Sequence, residues 1–224
     1  MYFKNRADAG RALAAKISKY NDEQCVVLAL NDGGVIVGAQ IALKIHANLM
    51  VLISNKVMLP GEPDPLASMT TSTFTYNPMY SEGERDELTS EFRGVIDAQR
   101  LENFHKINAL VSDGAEIDPK DLRHHVIILV ADALHDAMML NVAYDFLKRI
   151  EVKRLIIATP LANVTAVDAM HLMGDEIYCL SVADNLMIAD HYYDDNIVPD
   201  HAGIMKIIRN LSFSWSYKTV DSST

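Results

Sequence analysis

Five consecutive aliphatic residues, Val126 to Val130 (VIILV), constrain the fold of this 224-residue chain more than any other feature. A run without polar alternation has no solvent face. As a strand it must be covered on both sides, which is the condition of a central strand in a parallel sheet. Cys25 to Leu30 (CVVLAL) and Asn48 to Ser54 (NLMVLIS) repeat the pattern, and between them Val35 to His46 is amphipathic with helical spacing. A strand, helix and strand in that order make a right-handed βαβ crossover the simplest connection. Further on, a helix over 136–150, a strand over 154–159, a helix over 164–173 and a strand over 176–181 alternate without interruption. The sequence therefore predicts an α/β fold: a doubly wound, mostly parallel sheet flanked by helices, with strands near 25–30, 49–54, 126–130, 154–159 and 176–181.

The remaining segments fit around that sheet. Ala7 to Lys19 reads as a first helix with Leu13, Ala14 and Ile17 on one face. Three prolines and a glycine between Asn55 and Pro65 predict a loop, and Thr71 to Tyr76 alternates like an edge or hairpin strand. Leu88, Phe92, Val95 and Ile96, continued by Phe104, Ile107 and Val111, predict one long helical insertion over about 82–111, with Gly94 as the place for a bend. The expected organisation is one domain over 1–214, followed by a loose Ser/Thr-rich tail at 215–224.

Composition narrows the function classes. A formal charge of −10 opposes phosphate backbones and anionic membranes, so nucleic acid and membrane are not expected partners. The two cysteines, Cys25 and Cys179, lie in apolar runs and form neither a disulfide framework nor a metal-ligand pair, which points to the cytoplasm. No stretch approaches the roughly 20 apolar residues of a membrane-spanning helix. The apolar surface of the 82–111 helix exceeds what a small sheet covers, so a homodimer is expected.

Ligands of open parallel sheets bind beyond the carboxyl ends of central strands, here the residues after Leu30 and after Val130. Gly33 and Gly34 stand where a strand turns into a helix, where backbone N–H groups can line an anion site. On spacing alone, a tight turn is the better explanation of them.

The order of several segments resembles the type I phosphoribosyltransferases, in particular the bacterial phosphoribosyltransferase domain-containing proteins. The start, F-x-x-R-x-D-A-G-R-x-L-A, comprises Phe3, Arg6, Asp8, Ala9, Gly10, Arg11, Leu13 and Ala14. VLALNDGGVIVGAQIA is similar to V-L-A-L-P-R-G-G-V-P-V-A-x-x-I-A, and Lys56, Pro60 and Gly61 follow in NKVMLPGEPDP. HHVIILVADALHDAMMLNVAYDFLK resembles the phosphoribosyl pyrophosphate signature V-I-L-V-D-D-G-I-A-T-G-A-T, and ATPLA, GDEIYCL and HYYDD fit the family's last third. The resemblance implies a crevice formed by Asp32, Gly33, Gly34, Lys56, Asp132, His135, Asp136, Ala137, Met138 and Met139.

The same resemblance implies a degenerate site. Asp32 stands where the family carries an Arg or Lys that holds pyrophosphate. Ala131 replaces the first of two ribose-binding acids, leaving a vestigial Asp132, and Asp136, Ala137, Met138 and Met139 replace the T-G-A-T cradle of the 5′-phosphate. A carboxylate ~6 Å from a phosphate at an effective dielectric of ~20 costs a few kcal/mol, enough to change affinity by orders of magnitude. The expectation is a non-catalytic relative, a pseudoenzyme with lost or weakened phosphoribosyl pyrophosphate binding. It would act as a binding, scaffold or regulatory protein toward a phosphorylated small molecule or a protein partner, without a cofactor. The alternatives are an active phosphoribosyltransferase of nucleobase or nucleotide metabolism with a rearranged pocket, which would require magnesium, and a folded subunit of a larger assembly.

Other residues invite functional readings that simpler ones outweigh. His124, His125 and His135, near Asp132 and Asp136, form the densest histidine cluster. Adjacent histidines on an incoming strand diverge and lie at its far end from His135, so no metal site is expected. The stretch 190–196 (DHYYDDN) reads as a solvated surface loop, and Met138, Met139, Met170 and Met173 as adaptable core packing. Ser54 and Ser68 lack a G-x-S-x-G context.

Overall fold

The computed structural model describes residues 2–186 and 188–216. Its centre is a five-stranded sheet in the order β3-β2-β7-β8-β9, formed by Asn48–Val51 (β3), Cys25–Ala29 (β2), Val126–Val130 (β7), Arg154–Asn163 (β8) and Glu176–Ala183 (β9). Every neighbouring pair is parallel. Alternate residues supply two separate cores, as the period of two in a strand requires. Val27, Ala29, Ile128, Val130 and Ile156 pack under α1 (Arg6–Ile17), α2 (Asp32–Ile45) and α8 (His201–Ser216). Val26, Leu28, Ile127, Leu129 and Ile157 pack under α6 (Met138–Leu147) and α7 (Val164–Met173) on the other face. The unbroken aliphatic runs are thus spent on both faces, and the doubly wound α/β fold follows. Strand β7 matches its expected bounds and occupies the middle of the sheet, while β3 ends at Val51 because the chain then turns toward a second sheet.

That second sheet is antiparallel, in the order β4-β5-β6, formed by Asn55–Val57 (β4), Ala67–Met69 (β5) and Phe74–Tyr76 (β6). Strand β4 falls inside the segment expected to be loop, because the prolines that signalled a loop begin only at Pro60. The 82–111 helix is two helices, α3 (Glu82–Glu91) and α4 (Arg93–Leu110), broken at Phe92 and not at Gly94. Ile96 and Ile107 of α4 pack with Val57, Leu59 and Leu66, so the small sheet covers much of the apolar face that sequence left unpartnered. A short helix, α5 (Pro119–Leu122), precedes β7.

Two three-residue strands, β1 (Phe3–Asn5) and β10 (Tyr193–Asp195), pair in parallel and join the chain's start to its last third. The stretch 190–196 is largely exposed, as expected, but it carries a short strand and one anchor: Tyr193 is buried against Phe3, Ala9, Ala133 and Leu161. Helix α8 continues through Ser216, so Trp215 and Ser216 are helical, and the rest of the expected tail lies outside the described residues. No helix among the described residues is long and apolar enough to cross a membrane.

Candidate functional site

The carboxyl ends of β2 and β7 converge on a buried polar cluster centred on Asp132, which is 3% exposed. Arg6 is its main partner. A cation as the first residue of α1 opposes the helix dipole, and such a placement requires compensation from elsewhere in the fold. Arg6 Nε donates to Asp132 Oδ2 at 2.7 Å, Nη1 donates to the carbonyl of Asn196 at 2.9 Å, and Nη2 donates to Asp190 Oδ1. Its guanidinium also lies 4.6 Å from the Tyr193 ring centroid. Burial alone would lower the Arg6 pKa, yet the hydrogen bonds it donates to Asp190 and Asp132 raise it above the ordinary arginine value.

The other Asp132 oxygen is equally committed. Asn31 Nδ2 donates to Asp132 Oδ1 at 2.7 Å, while Asn31 Oδ1 accepts the backbone N–H of Gly34 at 2.8 Å and caps α2. Tyr193 donates its hydroxyl to the backbone carbonyl of Asp132 at 2.7 Å, and burial pushes its phenol well above the usual range, with Asp132 adding to the effect.

Gly33 and Gly34 have a role beyond turning the chain. They lie in the first turn of α2, not in a loop before it. A Cβ on Gly33 would stand 2.0 Å from Asp132 Oδ2 and 2.8 Å from Arg6 Nε, and one on Gly34 would stand 2.7 Å from the Val130 carbonyl. The glycines let the helix start press against β7 and its buried ion pair.

Beside this cluster, between the ends of β2 and β3, opens a cleft of about 310 Å³. Asn31, Asp32, Ser54, Asn55 and His201 supply its polar lining, between aliphatic walls from the ends of β2, β3 and α4. Partial burial raises the Asp32 carboxyl above its ordinary range; His201 opposes that shift and Asp132 adds to it.

A family model described as the phosphoribosyl transferase domain matches residues 2–168. The chain belongs to this phosphoribosyl transferase family. Two curated Mycobacterium tuberculosis proteins named as candidate phosphoribosyl transferases, MT0597 and Rv0571c, are each 24% identical over 186 residues, covering 80% of this chain. The chain spans 40% of the length of those relatives. Among solved structures, TT1426 from Thermus thermophilus superposes with a TM-score of 0.72 at 22% identity, covering 93% of this chain and 98% of that one. It shares the fold.

The residues that the family resemblance singled out fall into distinct places. Asp132, Gly33 and Gly34 meet in the buried cluster, and Asp32 opens onto the cleft. Asp136 is exposed, and its Oδ1 accepts the Met138 backbone N–H at 2.7 Å, fastening the loop at the start of α6. Ala131 and Met138 are buried, and Ala137 and Met139 pack against the core from partly exposed positions. His135 Nδ1 lies 3.3 Å from the Leu186 carbonyl. His124 and His125 sit in the turn before β7, not on it, with His124 in the left-handed backbone region. Among the described residues no group of three or more His, Cys, Asp or Glu side chains is arranged to hold a metal ion. Lys56 is an exposed residue of β4 whose carbonyl accepts from Asn103 Nδ2 at 3.0 Å. Sequence reasoning missed Asn31, Asp190, Tyr193 and His201, and gave Arg6 no role. The one available signal was Arg6 itself, a cation at the wrong end of a helix.

Proposed function

We propose that this phosphoribosyl transferase family member is a non-catalytic binding protein that does not take magnesium phosphoribosyl pyrophosphate as a substrate. The observation that carries this reading is the commitment of both Asp132 oxygens, one to Arg6 and one to Asn31. Asp132 is buried and each of its oxygens already accepts a donor, so ribose hydroxyls would have to compete with Arg6 and Asn31 inside a site almost closed to solvent. Asp32, which faces the cleft where the family places a cation, and the hydroxyl-free segment 136–139 support the same reading. The residues present do not fit a protein-held magnesium ion either, since the one acid retained from the signature pair is buried and bound to the Arg6 guanidinium, a cation that repels a metal ion.

Isothermal titration calorimetry tests the reading. Native protein titrated with millimolar magnesium phosphoribosyl pyrophosphate should give no binding heat. Tight binding together with transfer to any nucleobase would establish the alternative, an active transferase with a rearranged pocket built on Asp132. We further expect a homodimer through the outer side of α4, where Leu101 and Phe104 are exposed. A light-scattering mass near 24.9 kDa at micromolar and higher concentration would reject it.

A further inference from the structure

We propose that the cleft between the ends of β2 and β3 binds a small organic cation, an alkylammonium or alkylguanidinium whose N–H donors meet Asp32 and His201. This rests on the reading that the site has given up phosphoribosyl pyrophosphate, and it names the class of ligand that replaces it.

Four observations converge. First, the cleft is lined by one carboxylate, Asp32, and by no lysine or arginine, so with His201 neutral its formal charge is negative. Partial burial holds the Asp32 carboxyl above its ordinary range, His201 opposes that shift, and the nearby Asp132 adds negative potential. A cation relieves that potential and an anion worsens it.

Second, His201 Nε2 is buried without a hydrogen-bond partner among the described residues, although His201 lines the cleft. Buried polar nitrogens are almost always satisfied, and one left open beside a cavity marks a place for a partner atom. In the tautomer protonated at Nδ1, Nε2 accepts an N–H, as does the carboxylate of Asp32. A ligand carrying several N–H groups on one charged head serves both.

Third, the two helix starts near the cleft do not remain free for a phosphate. Asp32 is itself the first residue of α2, and Asp200 Oδ1 accepts the Gly203 N–H at 2.9 Å at the start of α8. The positive ends that would otherwise attract an anion are answered by the chain's own carboxylates.

Fourth, the walls are aliphatic and the volume of about 310 Å³ is small, which suits a short apolar body behind the charged head.

Calorimetry with n-butylguanidinium and n-butylammonium tests the proposal, with n-butanol as the neutral analogue and inorganic pyrophosphate as the anion. Saturable heat is expected with at least one cation and with neither control. Asp32→Asn should weaken cation binding at least tenfold, and His201→Gln or His201→Phe should weaken it several-fold. A cooperative thermal melt and a wild-type circular dichroism spectrum will establish that each variant is folded. Absence of heat with both cations at millimolar concentration overturns the proposal, as does binding that survives Asp32→Asn, or pyrophosphate binding tighter than either cation. These failures are distinct from that of the underlying reading, which falls only if magnesium phosphoribosyl pyrophosphate itself binds.

Discussion

Asp32 and Asp132 stand just past the carboxyl ends of two adjacent parallel strands, β2 and β7, but the fold treats them in opposite ways. Asp132 is buried with both oxygens paired, inside a cluster assembled from Arg6, Asn31, Asp190 and Tyr193. Asp32 faces an open cleft, and no hydrogen bond or ion pair to its side chain is found among the described residues. One carboxylate is therefore part of the scaffold and the other is available to a ligand. The position after a strand gives a residue access to the crevice, and segments distant in sequence decide whether that access is used or closed. Here β1 and β10 close it over Asp132 and leave it open over Asp32.

The sharpest break of this comparison is to unpair the buried side. Arg6→Met should destabilise the protein by about 3–5 kcal/mol in urea unfolding, because it strands the Asp132 carboxylate in a site with almost no solvent contact. Asp132→Asn should also be strongly destabilising, since it presents an amide to the donors of both Arg6 and Asn31. Asp32→Asn should change little by the same measurement. If Arg6→Met unfolds at the wild-type denaturant concentration, the cluster is not structural, and the argument that Asp132 is withdrawn from ligand chemistry falls with it.

A smaller effect is expected where the helix start meets the cluster. Gly33→Ala forces a methyl group to within 2.0 Å of Asp132 Oδ2, so either the carboxylate or the first turn of α2 must move. Overpacking of this kind costs about 1–3 kcal/mol. Asp32→Ala, one residue earlier on the same helix, has no such contact to break and should cost less. Equal losses at the two positions would show that backbone flexibility, and not the approach to Asp132, requires the glycine.

Much of this architecture was legible in sequence because the signals were dense and local. VIILV admits only a strand covered on both faces, and residues 164–173 form the helix their periodicity predicts. The small antiparallel sheet was harder to read: three-residue strands such as Asn55–Val57 are too short to show a period, and Phe92 rather than Gly94 breaks the long helix because the cap is set by contacts with that sheet. The site was legible only in part. Asp32, Gly33 and Asp132 announce themselves by lying after strands, but the partners that distinguish them come from 126 residues away at Arg6 and from a segment, 190–196, whose charges and aromatics look like surface. Tyr193 reads as solvent-facing until its strand partner Phe3 is known. His201, at the start of α8, carries no local pattern at all.

The finest test of the comparison is the pH dependence of Asp32, whose effect on stability is small because the group is open to water on one side. Its folded pKa is raised above the unfolded value of about 3.9. The native state therefore disfavours the charged form, and the contribution of this group to stability is fully present below the unfolded pKa and lost as pH rises through the folded one. Asp32→Asn removes the ionisation and with it that dependence. The melting temperature of the variant relative to wild type should accordingly be higher at pH 7 than at pH 3.5, and a saturating cation in the cleft should abolish the difference. A difference that does not vary with pH would mean that the Asp32 charge is not strained by its surroundings. The contrast with the paired and buried Asp132 would then be one of exposure alone.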